Sequence, residues 1–174
     1  MRQQLGADTM LTDRHRLVLL DCFETLVQFL DQRYIPRQGI LSFLEELRRR
    51  RKVLAVISDA PEPAVLAALR ESGLRGYFRE IYHAGNAAED RGQGRFRKRL
   101  DLPLSQLGFT REEAIFIGDS PFDAEAAEHY RIPFIRVPRS EDASFSFVSL
   151  LTGPSRYDSG EFSSTMAQSY ERKP

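Results

Sequence analysis

The sequence predicts an α/β domain: a mostly parallel, five-stranded sheet with helices on both faces. Three observations carry that expectation. Short apolar runs alternate with segments whose apolar residues recur at helical spacing. Three of those runs end in polar residues, at Asp21, Ser58 and Gly118–Asp119, as strands of a parallel sheet do at a ligand-binding edge. A length of 174 residues fits one well-packed domain and is short for two.

The first strand is Leu17–Leu20, an apolar run that stops at Asp21. A helix over about Gly39–Arg51 follows, with Ile40, Phe43, Leu44 and Leu47 on one face. Its last turn carries Arg48, Arg49, Arg50 and Arg51, which suits the negative end of the helix dipole. The second strand is Val53–Ile57. Asp59, ahead of Pro61 and Glu62, reads as the cap of a helix whose apolar face is Val65, Leu66 and Leu69 and which Gly73 and Gly76 end. A short third strand covers Glu80–His83. Residues 84–99 show little periodicity and read mostly as loop, with Arg91, Arg95, Arg97, Lys98 and Arg99 as a charged loop surface. A short helix runs from about Asp101 and Pro103 to Gly108. The fourth strand is Ala114–Ile117, the next helix Phe122–Tyr130 and the fifth strand Phe134–Val137. The stretch SFSFVSLL at 144–151 can pack as a strand or a helix. Residues 1–14 are expected to be a flexible arm, 15–151 the α/β domain, and 152–174 a polar tail rich in Ser, Gly and charge.

Composition narrows the function classes. Basic and acidic residues balance at 25 each, so no global field favours nucleic acid or an anionic membrane. No nucleic-acid-binding module is present. The single cysteine, Cys22, excludes an internal disulfide and a Cys-based zinc site. The polar N-terminal stretch lacks the apolar region of a signal peptide, and no run nears the roughly 20 apolar residues of a membrane span. A cytoplasmic protein is expected.

Asp21, Ser58 and Asp119 each lie just past the carboxyl end of an expected strand, so they can converge although distant in sequence. Asp119 and Asp123, four residues apart across a turn into a helix, can face one hard cation such as Mg²⁺. Thr25 follows Asp21 at the same spacing. In these features the chain resembles the haloacid dehalogenase-like (HAD) superfamily over about Leu17–Val137. Asp21 and Thr25 match its first motif, Val53–Ser58 its second, and Gly118, Asp119 and Asp123 its fourth. Pro36 and Gly39 reproduce a Pro-x-x-Gly that often opens the first long helix.

The resemblance implies that Asp21 attacks phosphorus and forms an aspartyl-phosphate. It implies Mg²⁺ held by Asp21, the backbone carbonyl of Phe23, Asp119 and Asp123. Thr25, Ser58, Asp59 and a motif-three cation form the expected substrate-binding set. That cation is Lys98, with Arg95 as the alternative. The expected partner is a phosphorylated substrate, either a small molecule or an exposed group on a larger one.

Two departures bear on activity. Phosphatases of the family carry a second Asp, an acid–base, where this chain has Phe23, and phenylalanine transfers no proton. Glu24 is a substitute in principle, although adjacent side chains normally diverge. Only 37 positions separate Asp21 from Ser58 and 40 separate Ser58 from Lys98, which leaves no room for a cap domain. Capless relatives act on large or exposed substrates or close the site by forming homo-oligomers.

Overall fold

The computed structural model describes residues 10–92 and 94–151. The elements run β1 (Leu17–Leu20), β2 (Val27–Leu30), β3 (Arg33–Pro36), α1 (Ile40–Arg49), β4 (Val53–Ile57), α2 (Glu62–Glu71), β5 (Glu80–Tyr82) and α3 (Ala84–Ala87). They continue with β6 (Ala88–Asp90), β7 (Phe96–Lys98), α4 (Asp101–Leu107), β8 (Ala114–Gly118), α5 (Pro121–Tyr130) and β9 (Phe134–Arg136). Residues 1–9 of the expected arm and the whole tail at 152–174 lie outside the described residues.

The main sheet has the strand order β5-β4-β1-β8-β9, and every pairing is parallel. The chain fills one side of β1 first, then returns to fill the other. The order therefore reverses between β1 and β8, and a crevice opens at their carboxyl ends. Leu20 is level with Val56 on one neighbour and Ile117 on the other. This register brings residues 21, 58 and 119 to one rim.

Side-chain alternation along the strands builds two cores. Val18, Leu20, Val56, Ile115 and Ile117 face α1 and α2. Leu17, Leu19, Ala55, Ile57 and Phe116 face the layer containing Leu100, Ala126 and Ala127. All four strand residues of β1 are buried, as expected for a central strand covered on both faces. In α1 the apolar face read from the sequence is the buried one: Ile40, Phe43, Leu44 and Leu47. Each fully buried side chain of this kind contributes roughly 1.5–3 kcal/mol relative to exposure.

Three features depart from the sequence reading. First, β2 and β3 form an antiparallel hairpin. Its two turn residues, Asp31 and Gln32, both have positive φ, at 49° and 62°. A two-residue turn of that hand usually contains Asn-Gly or Asp-Gly, so Asp-Gln gave no cue. Second, the segment 84–99 is not mostly loop: it forms α3 and a second hairpin, β6 with β7. Glu89 stands opposite Arg97 there, and Arg91 and Arg97 both ion-pair with Glu125 of α5. The arginines pin the hairpin to that helix rather than forming a free charged loop. Third, Asp59 does not cap α2, because Pro61 holds the N-cap position and no side-chain cap bond forms.

The ambiguous stretch at 144–151 contains a 3₁₀ helix, Phe147–Leu150, with Phe147 fully buried against Phe43 and Phe145. Gly39 makes room for this strap. Its φ is +76°, and a Cβ there would lie 2.3 Å from Ser146 Oγ and 3.1 Å from the Phe147 nitrogen.

His15, just before β1, is buried, and its Nδ1 accepts the Thr12 N–H at 3.1 Å. Burial, then Lys52 and Arg14, hold its pKa below the usual 6.5. Protonation is thus easier in the unfolded chain. The stability this adds is complete above pH 6.5 and is lost as pH falls toward the lower folded value. His15→Gln should show a shallower loss of melting temperature than the wild type between pH 7.5 and 5. Parallel curves would refute this.

Candidate active site

Asp21 leaves the end of β1, where its backbone N–H continues the ladder to the Ile117 carbonyl at 3.0 Å. Asp119 follows β8, and Asp123 sits in the first turn of α5. All three are buried, and each offers a carboxylate oxygen within 4.8 Å of the others. Lys98, the last residue of β7, brings its ammonium into the group. Its Nζ donates to Asp21 Oδ1 and to Asp123 Oδ1, each at 2.5 Å.

Each carboxylate is held by a neighbour. Thr25 Oγ1 donates to Asp119 Oδ1 at 3.0 Å. Arg139 Nε lies 3.7 Å from Asp119 Oδ2, and Arg136 Nε donates to the Asp119 carbonyl at 3.2 Å. Ser120 N–H and Oγ–H both donate to Asp123 Oδ2, at 3.1 and 2.7 Å, while Ser120 Oγ accepts the Asp123 N–H. This reciprocal pair is the capping box of α5, so the bonds that start the helix also orient Asp123. Gly118 completes the arrangement: the Asp123 side chain occupies the space a Cβ would take, with Oδ2 2.6 Å from that position.

The electrostatics mark a site with excess negative charge. Three carboxylates against the Lys98 ammonium, with the Arg139 guanidinium alongside Asp119, leave a net negative charge when all are ionised. Burial raises the Asp21 pKa to about 7, with Lys98 opposing and Asp123 adding to the rise. Burial also raises Asp119, against the Thr25 hydrogen bond. Burial works to lower Lys98, yet Asp21, Asp123 and Asp59 outweigh it, so its ammonium is held charged. A divalent cation with oxygen ligands fits this donor set and its charge deficit.

The remaining expected residues fall into two groups. Ser58 is buried at the rim, and its Oγ accepts the Ala60 N–H at 3.2 Å. Asp59, next to it, is exposed. Arg95 lies exposed in the turn between β6 and β7, so it is Lys98 that reaches the carboxylates. Phe23 packs edge-to-face on Tyr34, with ring centroids 5.5 Å apart. Glu24 turns away to Ser140, accepting from its N–H at 3.1 Å and from its hydroxyl. Cys22 is buried, and burial and then Asp21 push its thiol pKa up, so it stays a protonated core side chain.

Sequence reasoning missed Arg37. It is buried and donates to the carbonyls of Glu24 (2.5 Å), Pro138 (2.7 Å) and Arg139 (3.1 Å). It ties the loop after β1 to the loop after β9. No local pattern distinguishes it from the solvated arginines nearby. Ser120 was legible: Ser-Pro-x-Asp is a capping-box sequence.

The profile of haloacid dehalogenase-like hydrolases matches residues 9–137. The chain belongs to that family. A search of curated proteins finds no match. Among solved structures, a HAD-superfamily hydrolase of subfamily IA from Geobacter sulfurreducens aligns with a TM-score of 0.59 at 18% identity, covering 72% of this chain and 92% of that one. A HAD-superfamily hydrolase from Ehrlichia chaffeensis gives a TM-score of 0.57 at 13% identity, with 79% and 98% covered. A predicted phosphoglycolate phosphatase from Haemophilus somnus gives 0.53 at 19% identity; this chain, 68% covered, spans 56% of its length. At these identities the solved structures establish the HAD fold alone. As a HAD-family chain, this one carries short hairpins, β2–β3 and β6–β7, where a cap would be inserted. Among the described residues, no helix is long and apolar enough to cross a membrane.

Proposed function

We propose that the chain is a Mg²⁺-dependent, capless phosphohydrolase that moves a phosphoryl group onto Asp21 and then to water. The observation that carries this reading is the buried cluster of Asp21, Asp119 and Asp123 with Lys98 among them. Asp21, Asp119, Asp123 and the Phe23 carbonyl would hold the ion. When bound, it supplies neutralisation of phosphate charge that would otherwise repel a carboxylate nucleophile.

The chain's own groups do the rest. Asp21, at the strand end, presents an oxygen for in-line attack. Lys98 adds a point charge toward the transferring oxygens, and Ser58 offers its hydroxyl to the same group. Thr25, Ser120 and Arg139 keep the carboxylates fixed. The substrate in this reading is a phosphorylated small molecule, or a phosphate exposed on a larger one, in the cytoplasm.

The test is Mg²⁺-dependent hydrolysis of p-nitrophenyl phosphate, whose leaving group scarcely needs a proton. Asp21→Asn should cost on the order of 10³-fold or more in turnover. Turnover that survives this substitution would overturn the reading. Phe23 favours one second reading, a domain that keeps the pocket as a phosphate- or metal-binding regulator. That reading expects no turnover while phosphate or beryllofluoride still binds.

A further inference from the structure

We propose that Asp59 is the acid–base of this site and carries the proton work that Phe23 cannot. The inference rests on the reading above, in which Asp21 takes the phosphoryl group. Two positions where a proton-transferring group was expected are unsuited to it. Phe23 is an aromatic ring packed edge-to-face on Tyr34, and the Glu24 carboxylate is bonded by Ser140. His83, near the same rim, accepts the Gly85 N–H through Nδ1, and its Nε2 lies 3.7 Å from Glu62.

Asp59 differs from all of these. Among the described residues its carboxylate takes no hydrogen bond and no ion pair, and it does not cap the helix it precedes. It directly follows Ser58 and stands two residues past the end of β4, which pairs with β1 in the register Leu20 to Val56. By that register Asp21 is level with Ile57 and residue 59 with residue 23, so Asp59 lies at the carboxyl rim of the sheet on the strand next to the nucleophile's. Its charge reaches inward, acting on both Asp21 and Lys98. An exposed, unpartnered carboxylate on the rim that carries a buried nucleophile can meet a leaving group and then a water.

The proton balance closes over two steps. An Asp21 oxygen bonds to phosphorus as the bond to the leaving oxygen breaks. That oxygen departs with the electron pair and receives the Asp59 proton. Next, a water oxygen attacks the phosphorus and gives a proton to the Asp59 carboxylate. The bond to Asp21 breaks and returns its electron pair to the carboxylate. Alcohol and phosphate leave, and the proton that Asp59 gave is restored to it by the water.

The experiment uses the full chain with Mg²⁺ and a series of monoesters from p-nitrophenyl phosphate through phenyl phosphate to glycerol phosphate. In Asp59→Asn, kcat/KM for glycerol phosphate should fall roughly 10²–10⁴-fold further than that for p-nitrophenyl phosphate. The variant should also release a burst of p-nitrophenol, and intact mass should show a protein heavier by one phosphoryl group. Phe23→Asp in the Asp59→Asn background should recover much of the glycerol phosphate activity. Equal losses on every ester, or no loss and no phosphorylated species, would overturn the proposal. Either result leaves the role of Asp21 standing, since that role is read by Asp21→Asn alone.

Discussion

Gly118→Ala is expected to reduce turnover roughly 10²–10³-fold and to weaken Mg²⁺ binding in step. The reason is local and steric. A Cβ at position 118 would sit 2.6 Å from Asp123 Oδ2, 2.7 Å from its Cγ and 2.8 Å from its Cβ. The last of these is fixed by the helix backbone, so a rotation of the carboxylate cannot relieve the clash. Asp123 must swing away or α5 must shift, and either movement breaks its contacts to Lys98 and Ser120. The backbone at Gly118 is not in the left-handed region, so the requirement for glycine is one of space alone. Overpacking of this kind typically costs about 1–3 kcal/mol, so the variant should still fold. Titration calorimetry with Mg²⁺ reads the first effect and thermal unfolding the second. Wild-type Mg²⁺ affinity in Gly118→Ala would show that Asp123 is not held where the structure places it.

Arg37→Ala should be the most destabilising single change outside the apolar core. Three carbonyls, from Glu24, Pro138 and Arg139, receive its guanidinium. The guanidinium also packs against the rings of Phe145 and Phe147, at 5.8 and 5.6 Å. Charged-donor hydrogen bonds contribute roughly 1.5–3 kcal/mol each, although shared bonds do not add fully. A net loss of about 3 kcal/mol follows, which for a chain of this size corresponds to roughly 6–12 °C in melting temperature. Glu24 would lose its backbone tether while Ser140 still holds its carboxylate, so the loop between Asp21 and Thr25 should loosen. Activity should therefore fall together with stability. Arg37→Lys should recover little, because one ammonium cannot reach three carbonyls in a fork. An unchanged melting temperature in Arg37→Ala would refute this account.

Much of the scaffold could be read because its signals are local. The three central strands of the main sheet, β4, β1 and β8, are short apolar runs, and burial on both faces demands that composition, whereas the edge strands β5 and β9 are shorter and partly exposed. The face of α1 is set by a spacing of three and four residues. Asp21, Asp119 and Asp123 were legible because a parallel sheet delivers the residues after its strands to one edge. The two hairpins were not legible. The β2–β3 turn uses Asp31 and Gln32 where glycine is the usual signal, and β6–β7 is three residues a side, stabilised by pairing with Glu125.

The sequence alone, then, determined the layered α/β architecture, the absence of room for a cap, and the identity of the acidic residues at the rim. These depend on periodicity and on order along the chain, which are one-dimensional properties. Tertiary structure decided which cation enters the carboxylate cluster, which carboxylates are engaged elsewhere and which is left unpartnered. Lys98 was chosen over Arg95 by the position of a hairpin that Glu125 anchors from another helix. Glu24 was removed from the chemistry by Ser140, more than a hundred residues away in the chain. Such contacts are made between segments whose separation no local pattern encodes, so only the folded chain could assign them.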